Sequence, residues 1–215
     1  MTAMKIGILG SGVVAQTLAA GFLKYGHDVM VGTSNASKLK DFQDKNPKTK
    51  TGTFAETVAF GNTIVLAVKG TAAEEIVNSI SNGLNGKTII DTTNPIDNKP
   101  PVNGVIQYFT KMNESLMERL QRIAPQANFV KCFNSVGSTF MVNPQFPGGK
   151  PTMFICGNSD AARKEVTGIL DAFGWETSDL GKAEAAGSIE SLCMLWCIPG
   201  MTTGDWTHAF KMLKL

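Results

Sequence analysis

Residues 5–15 read Lys5-Ile6-Gly7-Ile8-Leu9-Gly10-Ser11-Gly12-Val13-Val14-Ala15, and this stretch decides the fold. Its first half is an apolar run of strand length. From residue 13 to 25 the pattern becomes helical, with Leu18, Phe22 and Leu23 sharing one side. Between the two lies a G-x-G-x-x-A turn. Gly10 permits the tight turn out of the strand, Gly12 carries no side chain and lets a pyrophosphate approach the backbone, and Ala15 lets the helix pack close to the sheet. Ser11, Val13 and Val14 complete the loop, and the free N–H groups at the helix start bring a partial positive charge toward the phosphates. The pattern alone is common. Its place between a strand and a helix makes the stretch a dinucleotide-binding fingerprint.

The alternation continues outward from there. Strands are expected at residues 28–31, 50–53, 63–68, 88–91, 128–133, 152–156 and 175–179, and helices at 36–45, 54–60, 72–81, 115–123 and 161–173. The run at 63–68 is continuously apolar, as a strand covered on both faces is, and 88–91 reads as another buried strand. Residues 94–107 and 143–151 are rich in turn formers and read as loops. Strands alternating with helices imply an α/β fold: a Rossmann-type, doubly wound, mostly parallel sheet with helices on both faces over residues 1–180. Residues 181–215 read as a short helical C-terminal extension with a break at Pro199-Gly200. Its Met194, Trp196, Met201, Trp206 and Phe210 mark it for burial in a core or against a second copy of the chain.

A formal charge of +2, from 20 basic and 18 acidic residues, gives no electrostatic case for nucleic acid or a membrane surface. No apolar stretch approaches the roughly 20 residues of a spanning helix. The opening residues lack the basic-then-apolar plan of a secretory leader, which points to the cytoplasm. Cys132 and Cys156 fall in apolar strand-like segments, and Cys193 and Cys197 would share one helix face. With His27 and His208 the only histidines, and neither in a ligand cluster, the thiols read as core residues and not as metal ligands or disulfide partners.

An NAD site places an Asp or Glu about 20 residues beyond the fingerprint, on the ribose hydroxyls. Here that zone, residues 31–38, contains no acid. Asp28 lies at the wrong end of its strand and Asp41 well into the next helix. Thr33, Ser34 and Asn35 offer hydrogen-bond donors to a 2′-phosphate and Lys38 adds a charge, so NADP(H) is expected in preference to NAD. Ser34 or Asn35 would serve equally well as a helix cap.

Ligands in such sheets gather at the carboxyl ends of the strands. Three further segments should therefore line the groove: Ala67-Val68-Lys69-Gly70, Asp91-Thr92-Thr93-Asn94-Pro95 and Phe133-Asn134-Ser135-Val136-Gly137. Ala67 and Val68 are expected against ribose and nicotinamide. Val68, Lys69, Thr92, Thr93, Asn94, Pro95, Asn134 and Ser135 are the candidates for the nicotinamide or acceptor side. Asn94-Pro95 also reads as a strand-ending turn, and Asn134-Ser135 as a cap. None is assigned as a catalytic residue. No Ser–His–Asp set, carboxylate pair or strand-end His is evident. That favours a hydride transfer needing little proton chemistry, such as exchange between a nicotinamide and a flavin-type ring.

The segments GILGSGVVAQTLA (7–19), VGTSN (31–35), IVLAVKG (64–70), IIDTTNP (89–95) and VKCFNSVGS (130–138), in this order and spacing, resemble the NADPH-dependent oxidoreductases of the deazaflavin (coenzyme F420) reductase type. Similar domains form the cytosolic part of six-transmembrane metalloreductases. The resemblance spans residues 4–180. It implies NADPH along residues 10–15 and 33–35, nicotinamide near Val68, Asn94 and Pro95, a flavin or deazaflavin as small-molecule hydride acceptor, and homodimers built on C-terminal helices. Relatives often carry Arg where this chain has Asn35. The change removes a bidentate phosphate clamp and leaves Lys38 as a partial substitute. Two other readings stay open. One is a protein that binds dinucleotide without turnover. The other is an imine reductase resembling pyrroline-carboxylate reductase, whose long helical dimerisation domain does not fit in the C-terminal tail.

Overall fold

The computed structural model describes residues 2–215. Strands β1 (Lys5–Leu9), β2 (Asp28–Gly32), β3 (Lys50–Gly52), β4 (Thr63–Leu66), β5 (Thr88–Asp91) and β6 (Asn128–Lys131) form one sheet in the order β3-β2-β1-β4-β5-β6. Every pairing in it is parallel. The winding reverses between β1 and β4, and at such a switch point the loops diverge and leave a crevice above the strand ends.

Helices α1 (Val13–Lys24), α3 (Phe54–Phe60), α4 (Gly70–Ile80), α5 (Leu116–Ile123) and α6 (Asp160–Ala172) cover the two faces, with the short α2 (Lys40–Lys45) at one edge. Because successive strand residues face opposite ways, the buried run Thr63-Ile64-Val65-Leu66 feeds two cores. Val65 joins Leu18, Phe22 and Val166 on one side. Ile64 and Leu66 join Val58, Val77 and Leu120 on the other. Capping boxes start α3 (Thr53 with Glu56) and α5 (Ser115 with Glu118), each contributing about 1 kcal/mol.

Four features depart from the sequence expectations. Residues 36–45 split into a 3₁₀ turn (Ala36–Leu39) and α2. The strand expected to reach residue 133 stops at Lys131, and Phe133 turns the chain in the left-handed region with φ 59°, a conformation costing about 1–2 kcal/mol for such a residue. Strands β7 (Thr152–Ile155) and β8 (Glu176–Asp179) form a parallel pair of their own. They do not extend the main sheet: the link to it is a single antiparallel bridge between Lys131, the last residue of β6, and Cys156, just past β7. The last helix, α7 (Ala186–Thr203), runs straight through Pro199 and ends at Gly204, whose φ of 78° is left-handed. A proline inside a helix removes one N–H from the ladder and crowds the carbonyl of Leu195, and here Trp196 and Cys197, in the turn before it, are buried and hold the helix in place. Beyond Gly204 the chain is irregular. It folds back over β7, with Thr152 N–H donating to Phe210 O at 2.8 Å and Met212 N–H donating to Thr152 Oγ1 at 3.1 Å.

Candidate functional site

A cavity of about 760 Å³ lies over the carboxyl ends of β1, β2, β4 and β5. At its centre is the turn between β1 and α1. Gly10 has φ 127°, and a Cβ there would stand 2.2 Å from Ala67 O; both its conformation and its space exclude any side chain. Gly12 is the N-cap of α1, and nothing lies within 4 Å of where its Cβ would be. No side chain caps α1 and no acid sits in its first turn, so its positive end is open to an anion. Ser11 Oγ accepts from Thr33 Oγ1 at 3.1 Å, tying this turn to the end of β2. These features fit a dinucleotide pyrophosphate: a bare backbone, free N–H groups and room. Of the fingerprint, Gly10, Ser11, Gly12, Val13 and Val14 line the cavity. Ala15 is instead fully buried beneath it, against the sheet.

Beyond β2 the lining residues are Thr33, Ser34 and Lys38. No carboxylate lines this end among the described residues. Asn35 does not belong to the wall. Its Oδ1 accepts from Ser37 N–H at 3.1 Å and from Ser37 Oγ at 2.6 Å, so it serves as the cap of the 3₁₀ turn. The cap role, one of the two open for it, takes up Oδ1, while the phosphate contact expected of it called on the Nδ2 donor, which this cap does not use.

The sequence reading missed Phe54 and Ile76, which also line the cavity. Phe54 stands two residues past the end of β3, so the strand-end rule applied to that short edge strand would have found it. Ile76 sits on α4 beside the buried face made by Ala73, Val77 and Ile80, and nothing in its spacing distinguishes it from a core residue.

At the opposite end, Ala67, Val68 and Lys69 from β4 face Thr92, Thr93 and Asn94 from β5, with Ile96, Asp97 and Asn98 from the following loop. Gly70 starts α4 where Asn94 O would lie 1.9 Å from a Cβ. Thr92 Oγ1 donates to Leu66 O at 3.0 Å, and Thr93 Oγ1 donates to Asp91 Oδ1 at 2.7 Å. Both hydroxyl protons are thus committed to the protein. Asn94 Nδ2 donates to Asn134 O at 2.8 Å, and Asn134 Nδ2 donates to Asn94 Oδ1 at 3.0 Å. A hydrogen bond from Lys99 holds the Asp97 carboxyl below its ordinary pKa.

Pro95, Asn134 and Ser135 were expected in the wall and stand behind it, buried. The left-handed turn at Phe133 directs Asn134 away from the cavity toward Asn94 and toward Ile189 O, at 2.9 Å, on α7. No His, Tyr, Cys or Glu lines the cavity among the described residues. Among these residues no group of three His, Cys, Asp or Glu could hold a metal, and no helix is long and apolar enough to cross a membrane.

Behind β5 lies a cluster that sequence reasoning did not find. Lys131 is fully buried, with its Nζ 2.7 Å from Asp91 Oδ2, 2.8 Å from Glu190 Oε1 and 2.8 Å from Thr93 O. Burial opposes its charge, and the two carboxylates more than offset that, holding its pKa above the usual lysine value.

Comparison with known proteins agrees with this geometry. Residues 5–95 match the family model described as NADP oxidoreductase, coenzyme F420-dependent. Metalloreductase STEAP3 of Rattus norvegicus is 26% identical over 191 residues, covering 88% of this chain and 36% of that protein. The chain spans about a third of the length of the curated relatives it matches. A crystal structure from Arthrobacter sp. FB24, of a protein assigned as an F420-dependent NADP reductase, superposes with a TM-score of 0.92 at 28% identity, covering 99% of this chain and 100% of that one. The fold also matches a reductive aminase from Aspergillus terreus solved with NADPH and ethyl-5-oxohexanoate, with a TM-score of 0.65 and 20% identity, covering 94% of this chain and 64% of that one. Over residues 5–95 this chain is similar in sequence to the coenzyme F420-dependent NADP oxidoreductases, and over nearly its whole length it is similar in fold to the Arthrobacter structure.

Proposed function

We propose that this protein moves hydride between NADPH and a flavin- or deazaflavin-type ring. The observation that carries the proposal is the contrast between the two ends of one groove: hydroxyls and Lys38 with no carboxylate at one, and no His, Tyr, Cys or Glu at the other. The first end favours a 2′-phosphate over a bare ribose, because it lacks the carboxylate that would hold a ribose hydroxyl and repel a phosphate. NADPH, when bound, supplies the hydride. The open N-terminus of α1 and the bare Gly12 hold the diphosphate, Thr33, Ser34 and Lys38 take the 2′-phosphate, and Val68 and Asn94 border the nicotinamide. Thr92 and Thr93 have no proton to give, which leaves Lys69, Asp97 and solvent as the proton sources at this end. A flavin-type ring accommodates this better than a carbonyl does.

NADPH oxidation followed with FMN, FAD, a deazaflavin and quinones tests the reading. Turnover with a flavin-type ring is expected; turnover with none of the four overturns it in favour of dinucleotide binding alone. A lower Kd for NADPH than for NADH is expected by calorimetry, and the reverse order would refute the cofactor assignment. The reading also places the protein in the cytoplasm, in keeping with four free thiols. It further includes a homodimer through α7, supported by Leu195 and Met201, which expose 55% and 45% of their surface, and checked by sedimentation.

A further inference from the structure

We propose that Lys131, Asp91 and Glu190 are positioning residues, which hold Thr93 and Asn94 at the nicotinamide end of the groove and make that end depend on the seating of α7. The inference rests on the reading of the groove given above. It starts from an expensive feature. Each ion moved into a protein interior costs several kcal/mol, and an all-apolar replacement is often as stable. Three charges are buried here all the same, and their hydrogen bonds converge on one residue of the cavity wall.

Thr93 is held at every polar atom. Its N–H and Oγ1 donate to Asp91 Oδ1 at 2.9 and 2.7 Å, and its carbonyl accepts from Lys131 Nζ at 2.8 Å. Asn94 follows directly and is paired with Asn134. The far side of the cluster belongs to α7. Glu190 Oε1 meets Lys131 at 2.8 Å, and its two oxygens accept from Leu116 N–H and Met117 N–H, at 3.0 and 3.1 Å, at the start of α5. Asn134 Nδ2 donates to Ile189 O, one residue earlier on α7. Tyr108 Oη donates to Glu190 O at 2.6 Å. Two adjacent residues of α7 therefore brace both Thr93 and Asn94, from positions about a hundred residues further along the chain. A cluster serving only to join helices would not need to close on the cavity wall. This one takes up all of Thr93's polar atoms, which fixes the rotamer facing the ligand.

Lys131→Met alone would leave two buried carboxylates unpaired. The test therefore uses Lys131→Met with Glu190→Gln, which removes one charge of each sign and leaves the net charge of the cluster unchanged. Calorimetry on the whole protein compares 2′,5′-ADP, which reaches only the phosphate end, with NADPH, which reaches both. The variant is expected to bind 2′,5′-ADP as the wild type does and NADPH about tenfold more weakly, as loss of one well-placed polar contact predicts. Equal binding of both nucleotides by wild type and variant would overturn the proposal. If the wild type binds neither nucleotide, the reading of the groove has failed. Hydrogen exchange at the Thr93 amide then decides the positioning role alone: faster exchange in the variant supports it and unchanged exchange refutes it. Should the double variant not fold, Glu190→Gln alone, which keeps the Lys131–Asp91 pair, is judged by the same two readouts and against the same outcomes.

Discussion

The two ends of the groove are made differently. The phosphate end is local: one strand, one turn and one helix start, contiguous from Lys5 to Ala15, present bare backbone to the ligand. The reacting end is assembled from a distance. Its wall residues Thr93 and Asn94 are held by Lys131 and Asn134, which are held in turn by Glu190 and Ile189. A site of the first kind tolerates change elsewhere in the chain. A site of the second kind inherits the fate of every element that braces it.

The largest expected effect would break the first end. Gly12→Val puts a side chain into open space, so the fold should survive with about 1 kcal/mol lost at the helix cap. NADPH affinity should fall by about a hundredfold or more because the diphosphate's place is taken. Thermal melting and calorimetry on the same sample check both halves. A variant that still binds NADPH would remove the phosphate role from this turn.

Asn94→Ala sharpens the contrast from the other side. It strips the pair with Asn134 and is expected to lower kcat about tenfold while leaving 2′,5′-ADP affinity alone. Steady-state kinetics with any acceptor that turns over, together with calorimetry, would show a split between the two ends; equal losses at both would deny it.

A smaller effect is expected from Lys38→Ala: NADPH binding weaker by about threefold to fivefold, NADH binding unchanged, and the difference shrinking as salt rises. Titrations at low and high ionic strength measure this directly.

The smallest effect lies away from the groove. His27 is buried, its pKa is lowered by that burial, and its Nδ1 accepts from Met4 N–H at 3.1 Å. The folded form therefore prefers the neutral ring. Its contribution to stability is complete above the unfolded pKa of about 6.5 and is lost as pH falls below that value and through the lower folded pKa. Melting temperature should drop between about pH 7 and pH 5 by more in the wild type than in His27→Gln, with NADPH affinity equal in the two proteins. Parallel melting curves would exclude this assignment.

What was legible in the sequence follows the same division. The fingerprint, the alternating elements and the missing carboxylate after β2 are all short-range patterns, and periodicity and glycine placement report such patterns well. Nothing in the sequence links Lys131, Asp91 and Glu190 to one another; only the packing of β5, β6 and α7 brings them together. Asn35 carried two readings, cap and phosphate donor, and local hydrogen bonding to Ser37 supports the cap. Pro199 looked like a break because propensity ignores packing, yet the helix around it is held by buried Trp196 and Cys197. The separate β7–β8 pair was illegible for a related reason: strand spacing carries no sign of direction, and β7 runs against β6.

At Gly70 the carbonyl of Asn94 occupies the volume that a side chain would need. The gauge of the cleft at that point is set by direct contact between β5's loop and the first turn of α4. Any larger residue at position 70 would act as a shim, prying the wall that carries Asn94 away from Val68. Redesign for a bulkier acceptor would have to leave this joint alone and enlarge the mouth elsewhere, at Ile96 or Asn98, which line the cavity and are exposed.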